Sequence, residues 1–180
     1  MNSGHLSVLI SPGKNPDVAT PKNQRLADVA KQRGHAVEVI DYAGIEDPEQ
    51  RVQRLLASAS LRIGPLVLVG VSMGGYVATV AAEKLAPKGL FLFSPALYLP
   101  PYSNLDPQPI ADRISVVHAW NDQIVPVENS IRFAQKFRAA LHLMDGDHSL
   151  VLQLPEIANI FGTFLDGLNR PAVSTTFDLP

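Results

Sequence analysis

Ser72, Asp122 and His148 have the residue types and the chain order needed to attack a carbonyl carbon. A serine hydroxyl is a weak nucleophile until an imidazole accepts its proton. The imidazole in turn needs an anion on its other nitrogen, to fix its tautomer and balance the charge it gains. Ser72 lies in Gly70-Val71-Ser72-Met73-Gly74-Gly75, where an apolar run from Pro65 to Val69 gives way to helical periodicity. A sharp strand-to-helix turn of this kind strains the backbone of its central residue and lifts the side chain above the sheet, and small residues on either side keep strand and helix from colliding. Asp122 stands in Trp120-Asn121-Asp122-Gln123-Ile124-Val125-Pro126 and His148 in Asp145-Gly146-Asp147-His148, each just past another strand-like run. Taken alone, Asp122 also reads as a turn or cap residue before a helix, and Asp145 and Asp147 are rival acids. The serine and the histidine together favour Asp122, because Asp147 is joined directly to His148 and both rivals sit in a glycine turn.

The elements that must position these groups alternate along the chain. Strands are predicted at Leu6–Ser11, Ala36–Tyr42, Pro65–Gly70, Gly89–Phe93, Ile114–Trp120 and Ala140–Met144. Between them, helical spacing runs from Thr20-Pro21 to Gly34, Pro48–Leu61, Met73–Leu85 and Val127–Arg138, and a last helix covers Pro155–Leu168. Leu66-Val67-Leu68-Val69 and Leu90-Phe91-Leu92-Phe93 are apolar without alternation, as strands covered on both faces must be. The pattern implies an α/β fold: three layers, a doubly wound, mainly parallel sheet of about six strands, with reactive groups beyond the carboxyl ends of the strands. Residues 1–169 are expected to form a single domain without a lid, and 170–180 a loosely held tail.

Order and spacing together resemble the α/β-hydrolase superfamily, in particular its small lidless bacterial esterase-like members. The motifs that carry the resemblance are Gly70 to Gly75, His118 to Pro126 and Gly146-Asp147-His148, and it covers roughly Leu6 to Leu168. It implies a minimal α/β-hydrolase fold with Ser72 as nucleophile, Asp122 as acid and His148 as base. The oxyanion of such a reaction needs two backbone donors, one on the residue after the nucleophile, Met73, and one in the loop after the first strand. That loop reads Ser11-Pro12-Gly13-Lys14-Asn15-Pro16-Asp17, with Pro12-Gly13 where relatives carry His-Gly. Lys14 is the expected second donor and Asn15 its substitute. Only about twenty residues separate Phe93 from Ile114, too few for a helical lid. The pocket should therefore be open and bordered by Leu97, Tyr98, Leu99 and Tyr102, with Ile124 on the Asp122 loop.

Composition narrows the remaining classes. The 180 residues are 46% hydrophobic and 18% charged, with 15 Lys+Arg against 17 Asp+Glu for a formal charge of −2. No basic run follows a phosphate backbone, so no nucleic-acid partner is expected. The absence of cysteine removes disulfides, thiolate nucleophiles and cysteine-ligated metal. No histidine pair has metal-ligand spacing, no Walker or dinucleotide glycine loop occurs, and neither metal nor cofactor is expected. His118 and His142 read as hydrogen-bonded packing residues within strands. Without a cationic start or signal-length apolar segment, the chain is expected to be cytoplasmic, with no membrane partner and a small-molecule ester as substrate. Thioester or amide hydrolysis by the same residues, and a noncatalytic binding protein with a misformed oxyanion loop, are the alternatives.

Overall fold

The computed structural model describes residues 4–15 and 17–168. Its elements are β1 (Ser7–Ser11), α1 (Pro21–Gln32), β2 (Ala36–Val39), α2 (Pro48–Ser60), β3 (Leu66–Val71), α3 (Met73–Leu85), β4 (Gly89–Phe93), β5 (Arg113–Ala119), α4 (Val127–Phe137), β6 (Ala140–Met144) and α5 (Leu154–Leu168). The six strands form one sheet in the order β2-β1-β3-β4-β5-β6, and every neighbouring pair is parallel. The chain winds outward from β1 to β2, then returns to place β3 on the other side of β1. The loops leaving β1 and β3 therefore part in opposite directions and open a crevice at their carboxyl ends.

Two apolar layers seal the sheet. Alternate strand residues such as Val8, Val69, Phe91 and Val117 meet α1 and α5 on one face, where the Phe91 and Phe161 ring centroids lie 4.8 Å apart. Leu9, Leu68, Leu92 and Val116 meet α2, α3 and Phe133 of α4 on the other. Both faces of β3 and β4 are buried, which explains why their sequences do not alternate. The buried alanines 78, 81 and 82 let α3 lie close to the central strands. Helix starts follow from capping chemistry: Thr20 Oγ1 accepts from the Asn23 N–H at 3.3 Å, and Asp47 Oδ1 from the Gln50 N–H at 2.8 Å, each before a proline whose missing N–H costs the helix nothing.

One strand is shorter than its sequence suggests. β2 ends at Val39, not at Tyr42, because the chain leaves the sheet edge and turns Tyr42 inward, where its hydroxyl meets Ser11 Oγ at 3.0 Å. The proposed tail, 170–180, lies outside the described residues. Among the described residues, no helix is long and apolar enough to cross a membrane.

Candidate active site

Ser72 sits at the junction of β3 and α3 with φ 53° and ψ −117°, a left-handed conformation that a side chain adopts only when its surroundings enforce it. The enforcing contacts are bare backbone. A Cβ on Gly70 would fall 2.4 Å from the Gly74 carbonyl oxygen, and one on Gly74 would fall 2.0 Å from that of Ser11. No side chain fits at either position. The Ser72 N–H donates to Phe93 O at 2.9 Å, and its carbonyl accepts from Gly75 and Ala96, so the turn is anchored to both flanking segments.

The loop after β6 brings His148 over this turn, and the loop after β5 brings Asp122 behind it. His148 Nε2 lies 2.9 Å from Ser72 Oγ, and His148 Nδ1 lies 2.7 Å from Asp122 Oδ2. The serine hydroxyl donates to Nε2 and Nδ1–H donates to the carboxylate, the tautomer that general-base chemistry requires. The Asp122 side chain is fully covered, whereas His148 keeps slight exposure.

Asp122 serves as both turn residue and partner to the imidazole, so its two sequence readings are compatible. Oδ1 accepts from the Ile124 and Val125 N–H groups at 2.8 and 2.9 Å and folds the loop. Oδ2 receives His148 and, at 2.9 Å, Nε2 of His118. Burial by itself would raise the Asp122 pKa. The hydrogen bonds from Val125, His148 and Ile124 outweigh it and hold the carboxyl below the usual carboxylate range.

His118 is a hydrogen-bonded packing residue, as expected, but its partner is Asp122, the carboxylate that also meets His148, and this contact was not anticipated from the sequence. Its Nε2 faces two acceptors, Asp122 Oδ2 and, at 3.1 Å, Val125 O, so this nitrogen carries the proton. Nδ1 accepts from the Ser130 hydroxyl at 2.7 Å. Burial lowers the His118 pKa despite the neighbouring carboxylate, which keeps the ring neutral. Its i,i+4 spacing from Asp122, at the end of β5, is the signal that could have found it. The rival acids are turn residues: Asp147 Oδ1 accepts from Ser149 N at 2.9 Å, and Asp145 Oδ1 from Asn121 Nδ2 at 3.1 Å.

A second buried residue shapes the loop after β1. Arg51 of α2, 1% exposed, donates from Nε to Ile45 O at 2.7 Å, from Nη1 to Gly13 O at 2.8 Å and from Nη2 to Lys14 O at 3.1 Å. Its guanidinium lies 5.0 Å from the ring centroid of Tyr42, whose hydroxyl burial pushes up to about 12. Among the described residues no carboxylate forms an ion pair with it, so carbonyl dipoles and an aromatic face compensate the cation. In a trans peptide the C=O and the following N–H point in opposite directions. With the Gly13 and Lys14 carbonyls turned to Arg51, the N–H groups of Lys14 and Asn15 face away from it. Among the described residues neither N–H has an acceptor. Met73, first residue of α3, likewise has no carbonyl one turn back for its N–H to meet.

A cavity of about 470 Å³ opens over Ser72 and His148, walled by Gly13, Lys14 and Asn15 on one side and by Leu99, Tyr102 and Ile124 on another. Tyr102 is held by stacking on Tyr76 at 4.3 Å between ring centroids. Two of the expected pocket residues do not reach it. Leu97 is fully buried in the core on the α3 side, and Tyr98, at φ 57°, packs against that core beneath Arg132, 4.1 Å from its ring centroid. Both side chains are thus taken up by the core on the α3 side rather than by the cavity over Ser72. A larger cavity of about 660 Å³ surrounds the amino ends of β5 and β6, and Ser72, Asp122 and His148 are not in its lining.

A parallel sheet of this winding, with a strained serine after β3 and no lid between β4 and β5, defines an α/β hydrolase. The chain belongs to the family described as Uncharacterised protein family (UPF0227), which matches residues 16–153. It is similar to a Xanthomonas campestris pv. campestris protein of the α/β-hydrolase superfamily at 30% identity and TM-score 0.82, covering 91% of this chain and 99% of that one. A second structure from Xanthomonas campestris, a serine hydrolase without lid, shares the fold at 18% identity and TM-score 0.75, over 91% of this chain and 82% of that one. Est1E from Butyrivibrio proteoclasticus does so at 17% identity and TM-score 0.75, over 92% and 88%. No curated protein sequence matches.

Proposed function

We propose that the protein is a serine hydrolase that cleaves carboxylic esters of small or medium acyl groups through an acyl-enzyme. The observation that carries the reading is the continuous relay from Ser72 Oγ through His148 to Asp122, at 2.9 and 2.7 Å. Ser72 Oγ attacks the carbonyl carbon while His148 Nε2 takes its proton. The negative charge that develops on the carbonyl oxygen is met by the N–H groups of Met73 and Lys14. As the tetrahedral intermediate collapses, His148 returns the proton to the departing alkoxide. A water molecule then repeats the attack on the acyl-enzyme, with His148 as base, and releases the acid. Asp122 keeps the imidazole in the correct tautomer throughout and stabilises its cation.

The second donor is assigned to Lys14 because Arg51 turns the Gly13 carbonyl away and because Gly13 itself packs on the nucleophile. A Cβ at Gly13 would lie 3.5 Å from Ser72 Cβ. The absence of a lid and the exposed Ile124 at the rim suit short and medium chains. A fluorophosphonate probe should label Ser72 stoichiometrically, and a series of aryl esters of rising chain length should give turnover with an optimum set by pocket depth. Folded protein that neither labels nor turns over any ester would overturn the reading in favour of a binding protein. The same series as aryl thioesters and anilides ranks the leaving groups.

A further inference from the structure

The wall beside His148 carries a cation that the relay does not use. Lys22, in the first turn of α1, reaches over the sheet so that Nζ lies 4.7 Å from the ring centroid of Phe93 and donates to the carbonyl oxygen of His148 at 3.3 Å. No carboxylate among the described residues pairs with it. Burial lowers its pKa, and the charges of Asp147 and Asp122 only partly offset this. Lys14 lines the same cavity from the opposite loop. The lining includes no carboxylate, because Asp122 lies behind the imidazole with all of its side chain covered. Much of the cavity wall beside Lys22 is apolar, with Leu99, Ile124, Val125 and Val151 among its lining. A desolvated, unpaired ammonium at the edge of an apolar cavity is costly unless an anion completes it.

Resting on the serine-hydrolase reading, we propose that the preferred ester carries its own carboxylate a short distance from the scissile carbonyl, and that Lys22 forms an ion pair with it. The carboxylate can lie on the acyl side, as in a monoester of a short dicarboxylic acid, or on the alcohol side, as in an ester of a hydroxy acid. Both present the same group to the same cation.

The test compares matched pairs of esters on the intact protein. For the acyl side, the phenyl monoester of succinate is set against phenyl pentanoate. For the alcohol side, the butyrate ester of 4-hydroxybenzoate is set against the butyrate ester of its carboxamide. At least one anionic member should exceed its neutral partner in kcat/KM by about tenfold or more, the size expected of a charge-assisted contact. Lys22→Met and Lys22→Gln should remove most of that ratio. Added salt should compress the ratio in the wild type and leave it unchanged in the variants. Any loss shared by both members reports the anchoring of the His148 loop, which is why the ratio is the readout. Gln retains a donor for the His148 carbonyl and covers the case in which Met fails to fold.

Wild-type protein that hydrolyses both pairs without preference overturns the inference and leaves the hydrolase reading standing. So does an anionic preference that survives both substitutions. Folded protein that is not labelled by fluorophosphonate and hydrolyses none of the four esters overturns both.

Discussion

Replacing Arg51 with methionine isolates the link between the oxyanion loop and the rate. Methionine fills much of the same volume but withdraws the donors that hold the carbonyls of Gly13, Lys14 and Ile45. At roughly 1 kcal/mol net for each bond, the stability cost is about 3 kcal/mol. For a domain of this size that lowers Tm by about 6–12 °C. The kinetic cost is separate. With its carbonyls released the loop can rotate, and losing one oxyanion donor reduces kcat by about 10²- to 10³-fold. Because the donor acts on charge present only in the transition state, KM should move far less than kcat. Arg51→Lys, which keeps the charge but can meet fewer of the three carbonyls, should fall between the two proteins in both respects. The assay is aryl-ester turnover at a temperature where the melting curve shows each variant fully folded, together with the rate of fluorophosphonate labelling. A folded Arg51→Met protein with kcat within about threefold of wild type would refute the assignment and leave Arg51 a purely structural residue.

Ser72→Ala should abolish at least about 10³-fold of the ester turnover without loss of fold, and Ser72→Gly should melt higher than Ser72→Ala because glycine relieves the positive φ; circular dichroism and thermal melts check both. Asp122→Asn should lose about 10³- to 10⁴-fold in kcat through the wrong tautomer, and unchanged kcat would exclude Asp122 as the acid. His118 is held neutral by burial, so its folded pKa lies below the unfolded value of about 6.5. Its contribution is therefore complete above that pH and is lost as pH falls below it, with a slope of up to about 1.4 kcal/mol per pH unit. Urea unfolding between pH 7 and 5 should show that slope in the wild type and a shallower one in His118→Gln.

Much of this molecule was legible in its sequence because local physics and tertiary role coincide. Leu66-Val67-Leu68-Val69 reads as a strand buried on both faces, and Ser72, Asp122 and His148 each lie just past a strand, although β6 before His148 is a partly buried edge strand. Parallel strands carry their following loops to one rim, so order along the chain was enough to anticipate proximity. Residues whose role depends on another segment were not legible. Arg51 falls among the polar positions of an amphipathic helix, and only the approach of the β1 loop turns that position inward. Lys22 looks like a solvated first-turn residue until the His148 loop closes over it. Leu97 and Tyr98 were misplaced for a related reason: the segment after β4 passes through left-handed backbone at Ser94 and Tyr98, which nothing in Ser94-Pro95-Ala96-Leu97-Tyr98 announces, and both side chains join the core.

The contact of Gly74 with the end of β1 has a consequence for how this site can change. Ser72 and the β1 loop, the nucleophile and oxyanion donor of the proposed reaction, belong to different crossovers of the sheet, yet main chain touches main chain between them at Gly74 and Ser11. One methyl group at position 74 would be a wedge driven between the two, separating Ser72 Oγ from the amides that the proposed reaction needs to receive its charge. Variation in substrate preference is thereby channelled to the rim, where Ile124 and Leu99 can be exchanged without moving the hinge on which the chemistry depends.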